Sequence, residues 1–174
     1  LAHATLDAVA AGGPVALPRF DKLADERLPE KDWTHLDGPL DLLVFEGWFL
    51  GTPAQGESDL DPPLNALERE ADTDGRWRRW CNHALAHDYP ALWQRCDRLW
   101  FLQPPDFSVI PRWRWQQEQN LQAAQPDRSS MSRAQLERFV QYYERVSRQA
   151  LRTLPGLADK VIALDEQRRI IATR

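Results

Sequence analysis

The chain has 174 residues and a mass of 20.1 kDa, which is enough for one domain with a sizeable core and too little for two full domains. Its 22 basic and 26 acidic residues give a formal net charge of -4, so it lacks the basic excess typical of proteins that bind nucleic acids or anionic membranes. No segment approaches the roughly 20 consecutive apolar residues of a membrane span, and no charged-then-apolar signal pattern is seen. We therefore expect a cytoplasmic protein with neither a nucleic-acid nor a membrane partner.

The cysteine content excludes disulfide-stabilised proteins and proteins with a four-thiolate zinc site. Cys81 and Cys96 are the only two cysteines, which is too few for a disulfide framework or a four-thiolate zinc site. We expect both to be buried thiols in a reducing compartment. The 8 tryptophans and 13 prolines form no repeat, which favours an irregular domain packed with aromatic side chains.

The N-terminal part is predicted to contain a helix and two strands. Residues 1–11 have the pattern of the end of a helix, and the apolar run 14–18 predicts a strand. Residues 19–38 predict a polar loop. The nearly continuous apolar run 40–45 predicts a strand that is covered on both faces, as in a parallel sheet.

The middle of the chain is predicted to be helical and to end in a strand. Residues 51–63 are rich in proline and glycine and predict a loop. Residues 64–70 and 77–96 have helical spacing, with a break at Pro90 in the second segment. The apolar run 98–103 predicts the next strand.

The C-terminal part predicts two more helices and a strand. Residues 108–124 have helical character, and a longer helix begins at Ser132, where Ser132 and Gln135 form a capping box. The run 160–164 predicts a strand. Because strands alternate with helical segments, the predicted fold class is α/β with a parallel sheet and flanking helices.

Polar residues follow each predicted strand, at the edge where parallel sheets bind ligands. These residues are Asp21, Lys22, Asp25 and Arg27 after the first strand, Glu46 and Gly47 after the second, and Gln103, Arg112 and Arg114 after the third. A carboxylate beside a lysine and an arginine can deprotonate a substrate hydroxyl while the cations hold a phosphate. The alternative is a solvated loop whose charges pair locally.

Six sequence motifs, in a fixed order along nearly the whole chain, resemble those of a known family. They are Leu17-Pro18-Arg19-Phe20-Asp21-Lys22 with Asp25-Glu26-Arg27, Phe45-Glu46-Gly47-Trp48 with Gly51, Leu64-Asn65-x-Leu67-Glu68, Gly75-Arg76-Trp77-Arg78, Trp113-Arg114-x-x-Gln117-Glu118, and Arg138-Phe139-Val140-Gln141-Tyr142-Tyr143-Glu144-Arg145. Together they resemble the D-glycerate 3-kinase-like P-loop kinases, which are related to uridine kinase, pantothenate kinase and phosphoribulokinase. The resemblance implies a single α/β kinase domain over residues 1–174 that uses ATP and Mg²⁺ to phosphorylate a small hydroxylated metabolite, with glycerate the leading acceptor.

The resemblance also implies roles for residues near the acceptor. Asp21 corresponds to the carboxylate that faces the acceptor hydroxyl, and Lys22 and Arg27 correspond to groups that hold an acidic substrate. Asn65 is a further candidate for substrate binding. Glu46 is expected near magnesium and the attacking oxygen, as a catalytic residue and a metal ligand.

The segment of about residues 104–130 resembles the lid of these kinases. Arg114 in this segment is expected to neutralise charge on the transferred phosphoryl group, and Gln117 is a candidate for nucleotide or phosphate binding beside it. The structural alternative for Arg114 is a surface helix residue that pairs with Glu118 at i+4.

Arginines recur every seven residues along the last predicted helix, at Arg138, Arg145 and Arg152. The first two fall in the last motif and are candidates for phosphate binding, whereas a solvated helix face explains the spacing equally well. His83 and His87 could share a helical face as zinc ligands do. No third ligand falls at a known spacing, so we expect no metal site there.

The sequence departs from the family in one respect. None of its eight glycines precedes a lysine, so it has no G-x-x-x-x-G-K-[ST] loop, which in such kinases cradles the β- and γ-phosphates. The family places that loop, together with the central strand of a sheet of order 2-3-1-4-5, ahead of everything seen here. We therefore expect the chain to be the substrate-and-lid portion of a longer kinase. Without the central strand, the strands at 40–45 and 98–103 should flank an open slot or pair directly.

The alternative function is a non-catalytic interaction module that keeps the outer parts of the kinase fold. The joint presence of Asp21, Lys22, Arg27, Glu46 and Arg114 favours the enzyme, because a module has no need of all five. The missing phosphate loop favours the module if Leu1 is the true start of the protein.

Overall fold

The computed structural model describes residues 1–21, 26–124 and 130–174. The chain divides into two compact units, Leu1–Glu46 and Gly47–Arg174, each with its own secondary structure. Helices and small sheets make up both units, so the mixed α/β class is confirmed. No helix among the described residues is long and apolar enough to cross a membrane.

The first unit contains one helix and two small antiparallel sheets. Its elements are α1 (Ala2–Ala10), β1 (Val15–Leu17), β2 (Phe20–Asp21), β3 (Glu26–Arg27), a 3₁₀ turn (Glu30–Asp32) and β4 (Thr34–Leu36). β1 pairs with β4, and β2 pairs with β3. The predicted helix at 1–11 and strand at 14–18 are thus confirmed.

The predicted polar loop over residues 19–38 is wrong in part, because β2, β3 and β4 lie within it. The strands are only two or three residues long and mostly exposed, so they carry no apolar run that would mark them. β2 and β3 are neighbours in sequence, so their antiparallel pairing costs little loop-closure entropy. The first unit therefore contains no parallel pair of strands among its described residues.

The strand predicted at residues 40–45 is also wrong. The segment has no regular secondary structure, and the side chains of Leu42 and Val44 are 78% and 77% exposed. A strand that is apolar on both faces needs a neighbour for its backbone groups and cover for its side chains. The described residues provide neither, so the expected pairing of this segment with a sheet is not seen.

The second unit is mainly helical. Its elements are a 3₁₀ turn (Glu57–Leu60), α2 (Ala66–Ala71), α3 (Arg76–His87), α4 (Pro90–Trp93), β5 (Trp100–Gln103), α5 (Val109–Ala124), α6 (Arg133–Leu157), β6 (Lys160–Leu164) and β7 (Ile170–Thr173). Every helix and strand predicted for this region is confirmed, including the break at Pro90, which starts α4. β7 was not predicted.

The sheet of the second unit has the order β5-β6-β7. β5 and β6 are parallel, as predicted, whereas β7 runs antiparallel to β6. The expectation of a purely parallel sheet is therefore wrong. A tight turn that contains Arg168, at φ 63°, connects β6 directly to β7, and so short a connection permits only antiparallel pairing.

α6 is the central helix of the second unit. The predicted capping box is confirmed: Ser132 accepts from the Gln135 backbone, and the Gln135 side chain accepts from the Ser132 backbone. The buried face of α6 packs Leu136 and Val140 against Phe107, the residue two positions before α5. This packing places α5, the larger part of the lid-like segment, beside α6.

The fourth motif of the sequence forms the start of α3. Gly75 caps this helix in the left-handed region, at φ 71°, and a side chain there would meet Arg78 Nη2 at 2.9 Å. Arg78 is buried and forms an ion pair with Asp72 at 3.2 Å, and it donates to the carbonyl oxygens of Leu60 and Asp61. The glycine is therefore required both by the backbone turn and by the buried arginine.

Candidate functional site

Arg145 joins three segments of the second unit through its guanidinium group. Its Nε and Nη2 donate to the two carboxylate oxygens of Glu68, each at 2.7 Å, which makes a bidentate pair between α6 and α2. It also donates to the carbonyl oxygens of Asp59 and Pro62, both at 2.9 Å, and to the Gln55 side chain at 3.5 Å. All five N–H groups thus point at acceptors of this chain. In this arrangement Arg145 fixes the loop before α2 against α6.

Asn65 caps α2 and links it to α6. Its Oδ1 accepts from the Glu68 backbone at 3.0 Å, and its Nδ2 donates to the Gln141 carbonyl at 3.0 Å and to Glu144 Oε2 at 3.1 Å. The Gln141 side chain accepts in turn from the Leu67 backbone at 2.9 Å. The third and sixth sequence motifs therefore form one hydrogen-bond network, in which Asn65 is buried. Its role in substrate binding stays a prediction.

The carboxyl group of Glu68 has a pKa below its ordinary value of 4.5. Burial by itself raises this pKa, but the hydrogen bonds from Arg145 and from the Leu64 backbone and the positive charges of Arg145 and Arg78 together outweigh that effect. The Leu64 N–H donates to Glu68 Oε2 at 2.7 Å. The folded protein therefore holds Glu68 as a carboxylate.

The lowered pKa predicts an acid-dependent contribution to stability. A carboxyl group whose pKa falls on folding stabilises the protein above the pKa of the unfolded state and loses that contribution as pH falls through the folded value. We expect the difference in unfolding free energy between the natural chain and Glu68→Gln to be largest at neutral pH and to shrink below about pH 4.5. Urea titrations between about pH 3 and pH 7 measure this difference. The control is Glu137→Gln, which alters an exposed i,i+4 pair with Arg133. An equal pH dependence in both variants would contradict the assignment of the acid-dependent stability to Glu68.

Arg114 lies on α5 against an aromatic cluster formed by Trp48, Phe49, Phe139 and Tyr143. Its guanidinium carbon lies 5.2 Å from the Trp48 ring centre and 5.8 Å from that of Phe139, which are cation-π distances. The aromatic cluster thus holds the cation in place. Trp48 was missed as a site residue, although its position two residues after Glu46 in the second motif was a signal.

The polar contacts of Arg114 differ from those of a simple surface residue. Its Nη1 donates to the Gln117 side chain, and its Nε is buried with no hydrogen-bond partner within the described part of the chain. Glu118 accepts instead from the Met131 backbone at 3.0 Å and forms no ion pair with Arg114 among the described residues. The i+4 pairing considered as the structural alternative is therefore not seen. The two predicted lid residues, Arg114 and Gln117, do lie together.

The opposite side of α5 is attached to the turn between β6 and β7. Trp113 donates to the Glu166 carbonyl at 2.8 Å, and Arg112 forms an ion pair with Glu166 at 3.1 Å. Arg168 donates to the Trp113 carbonyl at 3.1 Å and to Gln116 at 3.0 Å. These anchors were missed, because the sequence contained no sign that residues 165–169 form a hairpin turn beside the lid-like segment.

Arg138 has a looser environment than Arg145. Its guanidinium is about half exposed and forms one ion pair, with Glu70 at 3.3 Å. Such an exposed pair contributes little to stability and leaves most of the donors facing solvent. Of the two arginines predicted to bind phosphate, Arg138 is the one with donors available to a ligand.

The remaining predicted residues belong to the first unit. Asp21 lies opposite Glu26 in the β2–β3 pair, and Arg27 occupies the adjacent register position, opposite Phe20. Glu46 is exposed and is the last residue of this unit. Lys22, like Asp25, lies outside the described residues. The structure therefore brings Asp21 and Arg27 into one pair of strands, and their catalytic and binding roles stay predictions.

The described residues contain no group of three or more histidine, cysteine, aspartate or glutamate side chains that could hold a metal ion. The rings of His83 and His87 lie 4.2 Å apart on α3 without a third ligand in that part of the chain. Mg²⁺ commonly takes only one or two protein carboxylates and completes its shell with water and phosphate oxygens. Glu46 is thus able to supply one ligand to Mg²⁺, but the described residues form no complete magnesium site.

Comparisons with known proteins agree on one relationship. No family model matches the chain. It is 26% identical over 168 residues to chloroplastic D-glycerate 3-kinase of Arabidopsis thaliana and 28% identical over 140 residues to the uncharacterized kinase mug58 of Schizosaccharomyces pombe. The matches cover 88% and 74% of this chain but only 33% and 47% of those two proteins.

Two solved structures share the fold. D-glycerate 3-kinase from Cryptococcus neoformans matches with a TM-score of 0.73 and 23% identity, over 92% of this chain and 59% of that protein. The YGR205w protein matches with a TM-score of 0.68 and 20% identity, over 98% of this chain and 61% of that one. The resemblance inferred from the six motifs is confirmed. The chain is a distant homologue of D-glycerate 3-kinase and of the kinase mug58, and it corresponds to only part of each.

Proposed function

We propose that this chain supplies the acceptor-binding and lid portion of an ATP-dependent kinase that phosphorylates glycerate or a similar small hydroxy acid. The observation that carries the proposal is the position of Arg114. It lies with Gln117 on α5, and it stacks on Trp48, two residues after Glu46. A lid cation held this way is suited to neutralise charge on a transferred phosphoryl group.

The remaining roles follow the order of the motifs. Asp21 accepts the proton of the acceptor hydroxyl, and Arg27 and Lys22 hold the carboxylate of the substrate. Arg138 and Gln117 contact phosphate, while Asn65 and Arg145 act through the network between α2 and α6 that supports this part of the molecule. Glu46 contributes one carboxylate to magnesium. These 174 residues contain no phosphate-binding loop motif, so the proposal assigns that loop to a segment outside them. The proposal places the kinase in the cytoplasm.

A phosphotransfer assay tests this proposal. The complete gene product that contains these 174 residues is incubated with Mg²⁺, labelled ATP and D-glycerate, with glycerol as the acceptor that lacks a carboxylate. We expect transfer to glycerate and at least about tenfold less transfer to glycerol, because glycerol has no carboxylate with which to form charge-assisted bonds to Arg27 and Lys22. Equal transfer to both acceptors would contradict the assignment of Arg27 and Lys22. The absence of phosphoryl transfer to either acceptor would contradict the proposed kinase activity.

A non-catalytic module is the second candidate. The observation in its favour is that Asn65 and Arg145, two residues of the family motifs, are fully engaged in bonds within the chain. A protein that uses these motifs for stability alone has the same contacts. In that case the assay gives no phosphotransfer, and substitution of Asp21 changes nothing that the assay measures.

A further inference from the structure

A cleft of about 350 Å³ lies between α6 and the loop that precedes α2. Its volume is within the range of small-ligand sites in proteins. It is lined by Gln55, Asp59, Pro62, Pro63, Leu64, Arg145, Arg148, Gln149 and Arg152. Three arginines and one carboxylate thus line the same cleft, and the roles proposed above use neither Arg148 nor Arg152.

Arg145 forms the rigid base of the cleft, because its donors are all bonded within the chain. Gln149 is buried beside it and donates to the carbonyl oxygens of Pro53 and Ala54, at 3.2 Å each. These bonds hold the loop against α6. Arg145 and Gln149 therefore give the cleft a base that hydrogen bonds within the chain hold in place.

Arg148 and Arg152 lie one helical turn apart and face the cleft with about half of each side chain exposed. Arg148 bonds one oxygen of Glu144 through Nε and Nη2, and its guanidinium stacks on the Phe107 ring at 4.9 Å. Arg152 bonds the Gln149 side chain through Nε and Nη2. Within the described part of the chain, the Nη1 group of each has no hydrogen-bond partner.

The chemistry of the cleft favours a phosphate over a carboxylate. One guanidinium satisfies the two oxygens of a carboxylate, whereas a tetrahedral phosphate has oxygens for two guanidinium groups at once. The single carboxylate in the lining, Asp59, lies 3.5 Å from Arg152 and competes only weakly for it. Pro62, Pro63 and Leu64 add an apolar wall that suits the carbon body of an ester.

We propose that this cleft binds a small phosphate monoester, with its phosphate between the Nη1 groups of Arg148 and Arg152. Arg148 and Arg152 have no role in the phosphotransfer proposed above, so binding at this cleft can be measured without an assay of kinase activity. Bound ligand would bridge α6 and the loop before α2, and it would stabilise the second unit by mass action.

Calorimetric titration of the 174-residue chain tests this proposal. The probes are sn-glycerol 3-phosphate and inorganic phosphate, with acetate as the carboxylate at matched ionic strength. We expect saturable binding of glycerol 3-phosphate with a dissociation constant of about 1 mM or tighter, and weaker binding of inorganic phosphate. Arg148→Gln and Arg152→Gln should each weaken binding about tenfold. Asp59→Asn should tighten it about threefold, because it removes the competing carboxylate.

Arg133→Gln is the matched control, since it removes the same charge from an exposed ion pair at the start of the same helix. Its affinity for glycerol 3-phosphate should stay within about twofold of the natural chain. Thermal melts of all variants check that they are folded. The absence of saturable binding, an equal loss in Arg133→Gln, or equal binding of acetate would each overturn the proposal.

Discussion

Replacing Arg145 by alanine should destabilise the chain by about 3 kcal/mol. The substitution leaves the Glu68 carboxylate largely buried without its cation, and it removes the donors to the Asp59 and Pro62 carbonyl oxygens. Removal of one partner of a buried ion pair exposes the full desolvation cost of the other. Urea denaturation followed by circular dichroism measures the change.

Two variants separate this explanation from a general loss of packing. Arg133→Ala removes an arginine from the exposed pair with Glu137 and should cost less than about 1 kcal/mol. The double variant Arg145→Met with Glu68→Leu replaces both charges by apolar groups and should recover much of the loss, since no unpaired charge remains. A double variant less stable than Arg145→Ala would show that the lost packing of Arg145, and not the unpaired carboxylate, accounts for the effect.

Replacing Asp21 by asparagine should lower the turnover number for glycerate by about 10²–10⁴-fold, as expected for the loss of a general base. Asparagine keeps the size and hydrogen-bonding capacity of the side chain but cannot accept the proton of the acceptor hydroxyl. Affinity for Mg-ATP should be little changed, because the proposed role is at the acceptor. Steady-state kinetics of the polypeptide that phosphorylates glycerate measure both quantities.

Asp37→Asn is the matched control for this substitution. Asp37 is an exposed aspartate of the same unit, so the control makes the same change of charge away from β2. We expect its turnover number to stay within about twofold of the natural protein. An equal loss of turnover in both variants, or a parallel loss of nucleotide affinity in Asp21→Asn, would contradict the proposed role.

The sequence alone was sufficient for the elements whose stability is local. α6 has its capping box and a continuous apolar face, and β5 and β6 are apolar runs with polar or proline boundaries. Segment 40–45 has an equally strong apolar run and forms no strand. A strand is stable only when another strand pairs with it. The sequence of a segment does not show whether such a partner is present.

The candidate site could be predicted only where the contacting residues lie close together in the sequence. Arg114 and Gln117 are three residues apart on one helix, so the motif already placed them together. The pair of Arg145 with Glu68 joins residues 77 positions apart, and the stack of Arg114 on Trp48 joins two distant motifs. Such pairs depend on the tertiary fold, which is why the sequence assigned Arg145 to phosphate without revealing its partners.

Binding of Mg-ATP is the measurement that tests the central claim most directly. Calorimetry compares the 174-residue chain with the complete gene product that contains it. We expect saturable Mg-ATP binding by the complete gene product and none by the 174 residues alone, because these contain no phosphate-binding loop motif. Saturable binding of Mg-ATP by residues 1–174 would contradict the claim that this chain supplies only the acceptor-binding and lid portion of a kinase.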